Sequence, residues 1–319
     1  MSEPRHTLHI VSGKGGTGKT TVAGALAMAL ATGGRRVLLC EVEGRGGLAE
    51  LFATTPLQGD EERRLLRTPA GGEVFGLSVD ARDALTEYLA SFYRLGLAGR
   101  ALDRFGVYDF ATSIAPGLRD VLLTGKVYEA VRRRTKGRPS SYDAVVLDAP
   151  PTGRIATFLN VHEAVSGLAR VGPIHSQADS IMSVLRSSRT VVHLVTLLQD
   201  MPVTETLEAL EELRPTGIAV GTIICNMVTP TPLTTETLAA LEARPELHVP
   251  GLPPEQNEAL AREFADELSA LRDEQGCYER LRPAGLPLVE LAHDPAGVDR
   301  AALHTLAGSL AEQLPEEVG

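Results

Sequence analysis

Apolar residues along the chain follow two patterns: short unbroken runs, and longer stretches in which they return every third or fourth position. Leu8 to Ser12 is a short run that enters a glycine-rich turn. It predicts a buried strand followed by a helix from about Thr20 to Thr32, which Gly33 and Gly34 stop. Arg36 to Glu41 predicts a second strand, a glycine-rich turn follows at Gly44 to Gly47, and Val74 to Val79 predicts a third strand. From Ala81 to Arg134 the spacing is helical, with breaks near Gly106 and at Pro116-Gly117. Strand character returns at Ala144 to Leu147, Val191 to Thr196, Ile218 to Cys225 and Pro287 to Leu291. Helices lie between, one starting near Pro202 with Val203, Leu207 and Leu210 on one face, another carrying Leu260, Phe264, Leu268 and Leu271. Strands alternating with helices predict an α/β fold: a mostly parallel sheet covered by helices on both faces. One domain over residues 1–319 is expected. A helical subdomain is inserted at about 81–140, with part of 155–188.

Composition narrows the classes of partner. The 319 residues carry a formal net charge of -10, which repels nucleic acid and anionic lipid. The one dense basic run, RRRTKGR from Arg132, reads as a solvated helix end. No run approaches the roughly 20 apolar residues of a membrane span. The last helix, DRAALHTLAGSLAEQLPEEVG, has few cations on its polar face, against membrane attachment. Cys40, Cys225 and Cys277 form no C-x-x-C pair. With no signal peptide at the N-terminus, a cytoplasmic protein is expected, with no nucleic-acid partner and no stable membrane insertion.

Gly13 to Thr20, GKGGTGKT, matches G-x-x-x-x-G-K-[ST] between a predicted strand and a predicted helix. Glycines let consecutive backbone N–H groups converge on phosphate oxygens, and the helix N-terminus adds a favourable dipole. Gly15, Gly16, Thr17, Gly18, Lys19, Thr20 and Thr21 are the expected nucleotide contacts. Lys19 neutralises the β- and γ-phosphates and the Thr20 hydroxyl ligates Mg²⁺. In SYDAVVLDAPPTGR four apolar residues run into Asp148 at a strand's carboxyl end, where a Walker B aspartate holds the metal's shell. Pro150, Pro151 and Gly153 make a stiff turn suited to sensing the γ-phosphate. The fold class is thus a P-loop NTPase, with ATP and Mg as cofactors.

Lys14 has no obvious use inside one chain. Lys14 to Thr20, K-G-G-T-G-K-T, resembles the deviant Walker A of a P-loop branch that includes partition and septum-site ATPases, nitrogenase iron proteins and arsenite-pump ATPases. The resemblance implies that Lys14 reaches across a dimer interface to the opposite subunit's nucleotide. Cations supplied in trans to a transferring phosphoryl group are worth about 10³–10⁵ in rate. DAPPTGR, VDARDALTEYL, SIAPGLRDVLLTGKV and TVVHLVTLLQDMPVTETLEALEEL are similar to segments of the arsenite-pump and tail-anchored-protein-targeting ATPases, most of all the paired ArsA-like ATPases of actinobacteria. The likeness implies a nucleotide-sandwich dimer, with itself or with a paralogue, whose cycle opens and closes a client or partner surface, a protein being one possible client. It places Asn226 of IICNMV at adenine and ELAHDPAGVD in the adenine-side loop.

The departures from that family matter as much. Its switch I aspartate is Glu43 here, still able to orient or activate water. Its switch II histidine is Arg154, whose role is left open. The interface C-x-x-C and the pump's cysteine trio are absent, and Cys40 and Cys225 read as core. Of the five methionines only Met182 falls in a candidate client groove, which argues against tail-anchored clients. The stripe of Leu89, Phe92, Leu95, Leu97 and Phe105 reads as core rather than client surface. Two alternatives stay open: a partition- or septum-site-type switch, and a weakly hydrolysing ATP-binding regulatory subunit.

Overall fold

The computed structural model describes residues 6–42, 46–57, 59, 61–93, 116–135, 142–161, 173–231, 233–242 and 248–315. Its strands are β1 (Leu8–Gly13), β2 (Arg36–Val42), β3 (Arg63–Arg67), β4 (Glu73–Val79), β5 (Ala144–Asp148), β6 (Thr190–Thr196), β7 (Val220–Val228) and β8 (Leu288–Ala292). They form one sheet in the order β3-β4-β2-β5-β1-β6-β7-β8. Every neighbouring pair is parallel except β3 with β4. Strands β1, β5 and β6 are buried along their whole length. This is what unbroken apolar runs produce when helices cover both faces.

The helices are α1 (Lys19–Leu30), α2 (Gly47–Leu51), α3 (Ala81–Tyr93), α4 (Pro116–Thr135), α5 (Thr152–Leu159), α6 (Pro173–Leu185), α7 (Asp200–Leu213), α8 (Thr235–Glu242), α9 (Pro254–Leu281) and α10 (Arg300–Gln313). Helix α1 is alanine-rich and buried from Val22 to Leu30. With Leu303, Ala307 and Leu310 of α10 it covers the face formed by Val11, Val37, Leu39, Val146, Val195 and Ile224. On the opposite face Leu38, Cys40, Val145, Leu147, Val192 and Leu194 meet Val121, Leu123 and Val127 of α4, Phe158 of α5 and Ile181 of α6. Each buried leucine, isoleucine or phenylalanine contributes roughly 1.5–3 kcal/mol.

Within the described residues the expected strands and helices form, with bounds shifted by up to three residues, and the part of the expected helical stretch at 94–115 lies outside the described residues. The run at Val74 to Val79 is the fourth strand rather than the third. The unexpected strand is β3, whose sequence RRLLR is exposed or half-buried throughout and pairs antiparallel at the sheet's edge. Helix α4 is not remote from the sheet, because its apolar face shares the core of β1 and β5. Cys40 and Cys225 are core residues, as expected, and so is Met182, at 1% exposure. From the basic run, Arg133 pairs with Glu62 at 2.6 Å. Leu95, Leu97, Phe105 and the side chains of Leu89 and Phe92 lie outside the described residues. Among the described residues no helix is long and apolar enough to cross a membrane.

The strand order reverses beside β1. From there the chain runs outward to β2 and β4, returns through β5, then continues to β6 on the other side. The crevice at the carboxyl ends of β1, β5 and β6 is where an open α/β sheet binds its ligand.

Candidate nucleotide-binding site

Strand β1 delivers Gly13 to that crevice, and the chain turns through Lys14 to Gly18 before α1 begins at Lys19. Gly16 and Gly18 sit at φ +87° and +81°, backbone that side chains resist. The turn is closed from within. The Thr17 hydroxyl donates to the Lys14 carbonyl at 2.9 Å, and the Thr17 N–H donates to the same oxygen at 3.3 Å. The Lys19 ammonium curls back to that carbonyl too, at 3.3 Å, which sets its charge over the loop. Gly18 caps α1 without a side chain, so the first-turn N–H groups are left to face the crevice.

At the far side of the loop the Thr20 hydroxyl donates to Asp148 Oδ2 at 2.6 Å, joining residues 128 positions apart. Asp148 ends β5 and is 8% exposed. Beside it, in register on β2, lies Glu41, 3% exposed, whose Oε1 accepts the Gly47 N–H at 2.7 Å. Burial pushes the Glu41 carboxyl up, the nearby Asp148 charge adds to this, and the N–H groups of Gly47, Leu48 and Gly46 oppose it. Thr20 and Asp148 are hard oxygen donors, which fits Mg²⁺. That ion usually takes one or two protein carboxylates and completes its octahedron with water and phosphate. The described residues contain no three-residue cluster of His, Cys, Asp and Glu that would form a closed cage.

The switch turn is tied to the loop's strand. Ser12 donates to the Pro150 carbonyl at 2.7 Å, and the Ala149 N–H donates to Val11 O at 2.9 Å. Lys14 leaves the loop and pairs with Glu205 Oε1 of α7 at 2.7 Å. The other oxygen of Glu205 accepts from the Thr152 hydroxyl at 3.4 Å, at the start of α5. Two residues along α5, Arg154 pairs with the buried Asp120 of α4 at 3.3 Å.

At the end of β7 the Asn226 amide donates to Thr17 O at 2.9 Å. Asn226 and Thr21 line a cavity of about 370 Å³, whose other walls include Met227, His293, Pro295, Val298 and Leu306. The register of β7 shifts between Cys225 and Val228, and Met227 there adopts φ +55°. Met227 and Val298 are both large apolar residues left partly in solvent at a cavity wall, suited to a flat heterocycle.

The structure thus brings together Lys14, Gly15 to Thr21, Asp148 and Asn226, and residues of the segment ELAHDPAGVD line the cavity beside Asn226. Glu43 lies outside the described residues. Two acidic residues of the site had escaped the sequence reading. Glu41 had left a signal, a lone charge inside the apolar strand RVLLCEV. Glu205 left none, being one of several glutamates on α7.

A strand, a glycine loop and a helix, with a lysine folded over the loop and a strand-end aspartate bonded to the helix's second residue, define a P-loop nucleoside triphosphatase. Comparison with known proteins gives the family. The profile of the anion-transporting ATPases matches residues 6–187. The chain is 46% identical to the ATPase BagA of Mycobacterium tuberculosis, over 96% of this chain and 93% of that protein. It is 28% identical to the ATPase GET3 of Chaetomium globosum, over 66% of this chain and 58% of that one. The chain belongs to the anion-transporting ATPase family and is an ATPase.

Proposed function

We propose that this ATPase hydrolyses Mg-ATP as a dimer of two P-loop chains, identical or paralogous, and uses the cycle to open and close a client or partner surface. Lys19 and the backbone of Gly15 to Gly18 hold the phosphates, with Thr21 in the same helical turn. Thr20 and Asp148 hold Mg²⁺, which neutralises charge building on the phosphate oxygens. Glu43 orients the attacking water. Asn226 and the cavity behind it take the adenine.

Lys14 acts on the opposite subunit's nucleotide. The observation that carries this is the divergence of the two lysines. Lys19 folds over its own loop, while Lys14 extends to Glu205 with its side chain 30% exposed. A partly exposed ion pair is worth only about 0.2–1 kcal/mol, so a phosphate can take Lys14 from Glu205. The helical part of the domain, residues 81–140 with part of 155–188, moves with the switch turn. The pairing of Arg154 with Asp120 supports this by joining α5 to α4.

Native mass spectrometry of the Glu43→Gln protein with Mg-ATP tests the reading. Two P-loop chains carrying two nucleotides are expected, and the second chain's mass distinguishes homodimer from paralogue. A nucleotide-loaded monomer would sink the trans role of Lys14 and favour a regulatory ATP-binding subunit.

A further inference from the structure

Glu41 is a buried carboxylate that the assignments above leave without a task. In β2 it shares the α1-facing side with Val37 and Leu39, whereas Cys40 and Val42 face the opposite core. Asp148 is its in-register neighbour on β5 and lies on the same side. Two carboxylates thus stand side by side at 3% and 8% exposure. Like charges so placed repel, and buried ones normally have a cation to answer them. Among the described residues no lysine, arginine or histidine pairs with Glu41; it is met by backbone N–H groups at the start of α2, that of Gly47 at 2.7 Å.

Gly47 begins α2 and is pressed against both neighbours. A Cβ there would lie 3.1 Å from Thr20 Cγ2 and 3.2 Å from Glu41 Oε1. Three elements therefore converge on one carboxylate: the end of β2, the start of α1 at Thr20 and the start of α2. The stretch between β2 and α2 is the one that carries Glu43.

We propose that Glu41 is a positioning residue for the magnesium end of the site. It supplies a second negative charge beside Asp148 for the hydrated ion, and it holds the start of α2 against Thr20 through the Gly47 N–H. This rests on the Mg-ATP reading above. Glu41 differs from Thr20 and Asp148 in acting through their surroundings, and from Glu43 in never meeting the attacking water.

The test is a MgCl₂ titration of full-length wild type, Glu41→Gln and Glu41→Asp with a fluorescent ATP analogue. Analogue affinity in EDTA and melting without nucleotide are measured in parallel. Glu41→Gln keeps an oxygen for the Gly47 N–H, removes the charge, and replaces the second carboxylate oxygen with an amide NH₂. It should raise the Mg²⁺ needed for half-maximal analogue binding about tenfold, in the range of substitutions around metal ligands. Its EDTA affinity and melting temperature should not fall. Glu41→Asp, which keeps the charge, should retain more of the Mg²⁺ response than Glu41→Gln.

A Mg²⁺ response in Glu41→Gln within twofold of wild type overturns the inference. So does a parallel loss of affinity in Mg²⁺ and EDTA together with a lowered melting temperature, which is what a purely structural residue would give. The reverse order of the two variants overturns it as well. A wild type that binds the analogue equally with Mg²⁺ and EDTA overturns the Mg-ATP reading itself, and is recognised before any substitution is compared.

Discussion

At its first variable residue the phosphate loop holds Lys14, 30% exposed and paired with a glutamate of α7. At its last it holds Thr20, bonded to an aspartate of β5 that is 8% exposed, with Glu41 more deeply buried beside it. The first contact joins two partly solvated side chains, and such pairs are exchanged at little cost. The second lies among buried oxygens, where moving a charge is expensive and a preformed arrangement persists. The same eight residues therefore end in a movable cation on one side and a fixed oxygen cradle on the other. That division suits the proposed cycle, in which a second chain is recruited without disturbing the metal.

The largest effect should come from breaking the movable end. Lys14→Ala is expected to lower turnover at saturating Mg-ATP by about 10³-fold or more, as removal of a cation acting in trans does. Its affinity for nucleotide as a monomer should change little. Phosphate release measured beside analogue binding separates the two, and parallel losses would place Lys14 in its own subunit's site. At the fixed end, Asp148→Asn should cost about 10²–10³-fold in turnover, the scale of removing one preorganised polar group from a charged transition state. Here excess Mg²⁺ should restore part of the rate. A variant that Mg²⁺ cannot help would argue that Asp148 only braces Thr20.

The two ends were unequally legible in the sequence. Gly13 to Thr20 carries its chemistry in consecutive residues, and Asp148 follows an apolar run, so the fixed end could be read locally except for Glu41. A glutamate inside a strand looks the same whether it meets solvent or an in-register aspartate, and only the pairing of β2 with β5 decides that. The anchorage of Lys14 was illegible because it depends on how α7 packs beside the switch turn. In the fold, the apolar runs marked every buried strand. Strand β3 escaped because an edge strand facing solvent can be mostly arginine, and its order comes from pairing with β4.

The foot of β1 offers a polar contact with no ligand to wait for. His9 and His193 are fully buried there, with their rings stacked at 5.5 Å and joined by a 3.2 Å hydrogen bond, and His193 also meets Thr222. Burial lowers both, His9 well below 6.5 and His193 to about 3, with neighbouring histidines adding to the effect. A lowered folded-state value means that the neutral pair is fully stabilising above pH 6.5. Below that the unfolded chain takes protons the folded chain refuses, so stability falls until the folded pair is itself protonated. For His193 the loss at pH 5.5 is on the order of 1 kcal/mol. Melting of the wild type should drop between pH 7 and 5, less so in His193→Gln. An equal drop in both would assign the acid sensitivity to other groups, the carboxylates of the site included.

The smallest expected effect sharpens the movable end most. Glu205→Gln keeps the shape of the α7 side chain and can still meet Thr152, but it releases the charge that holds Lys14. If the ion pair competes with a second chain's phosphate for the same ammonium, the substitution should strengthen ATP-dependent dimerisation by about two- to fivefold, the range of a partly exposed ion pair. Sedimentation equilibrium in Mg-ATP, with Lys14→Ala and the double variant alongside, measures it. The gain should vanish when Lys14 is already alanine. A gain that persists there would mean that Glu205 opposes association by its own charge. A loss would mean that it braces Lys14 for the reach across the interface.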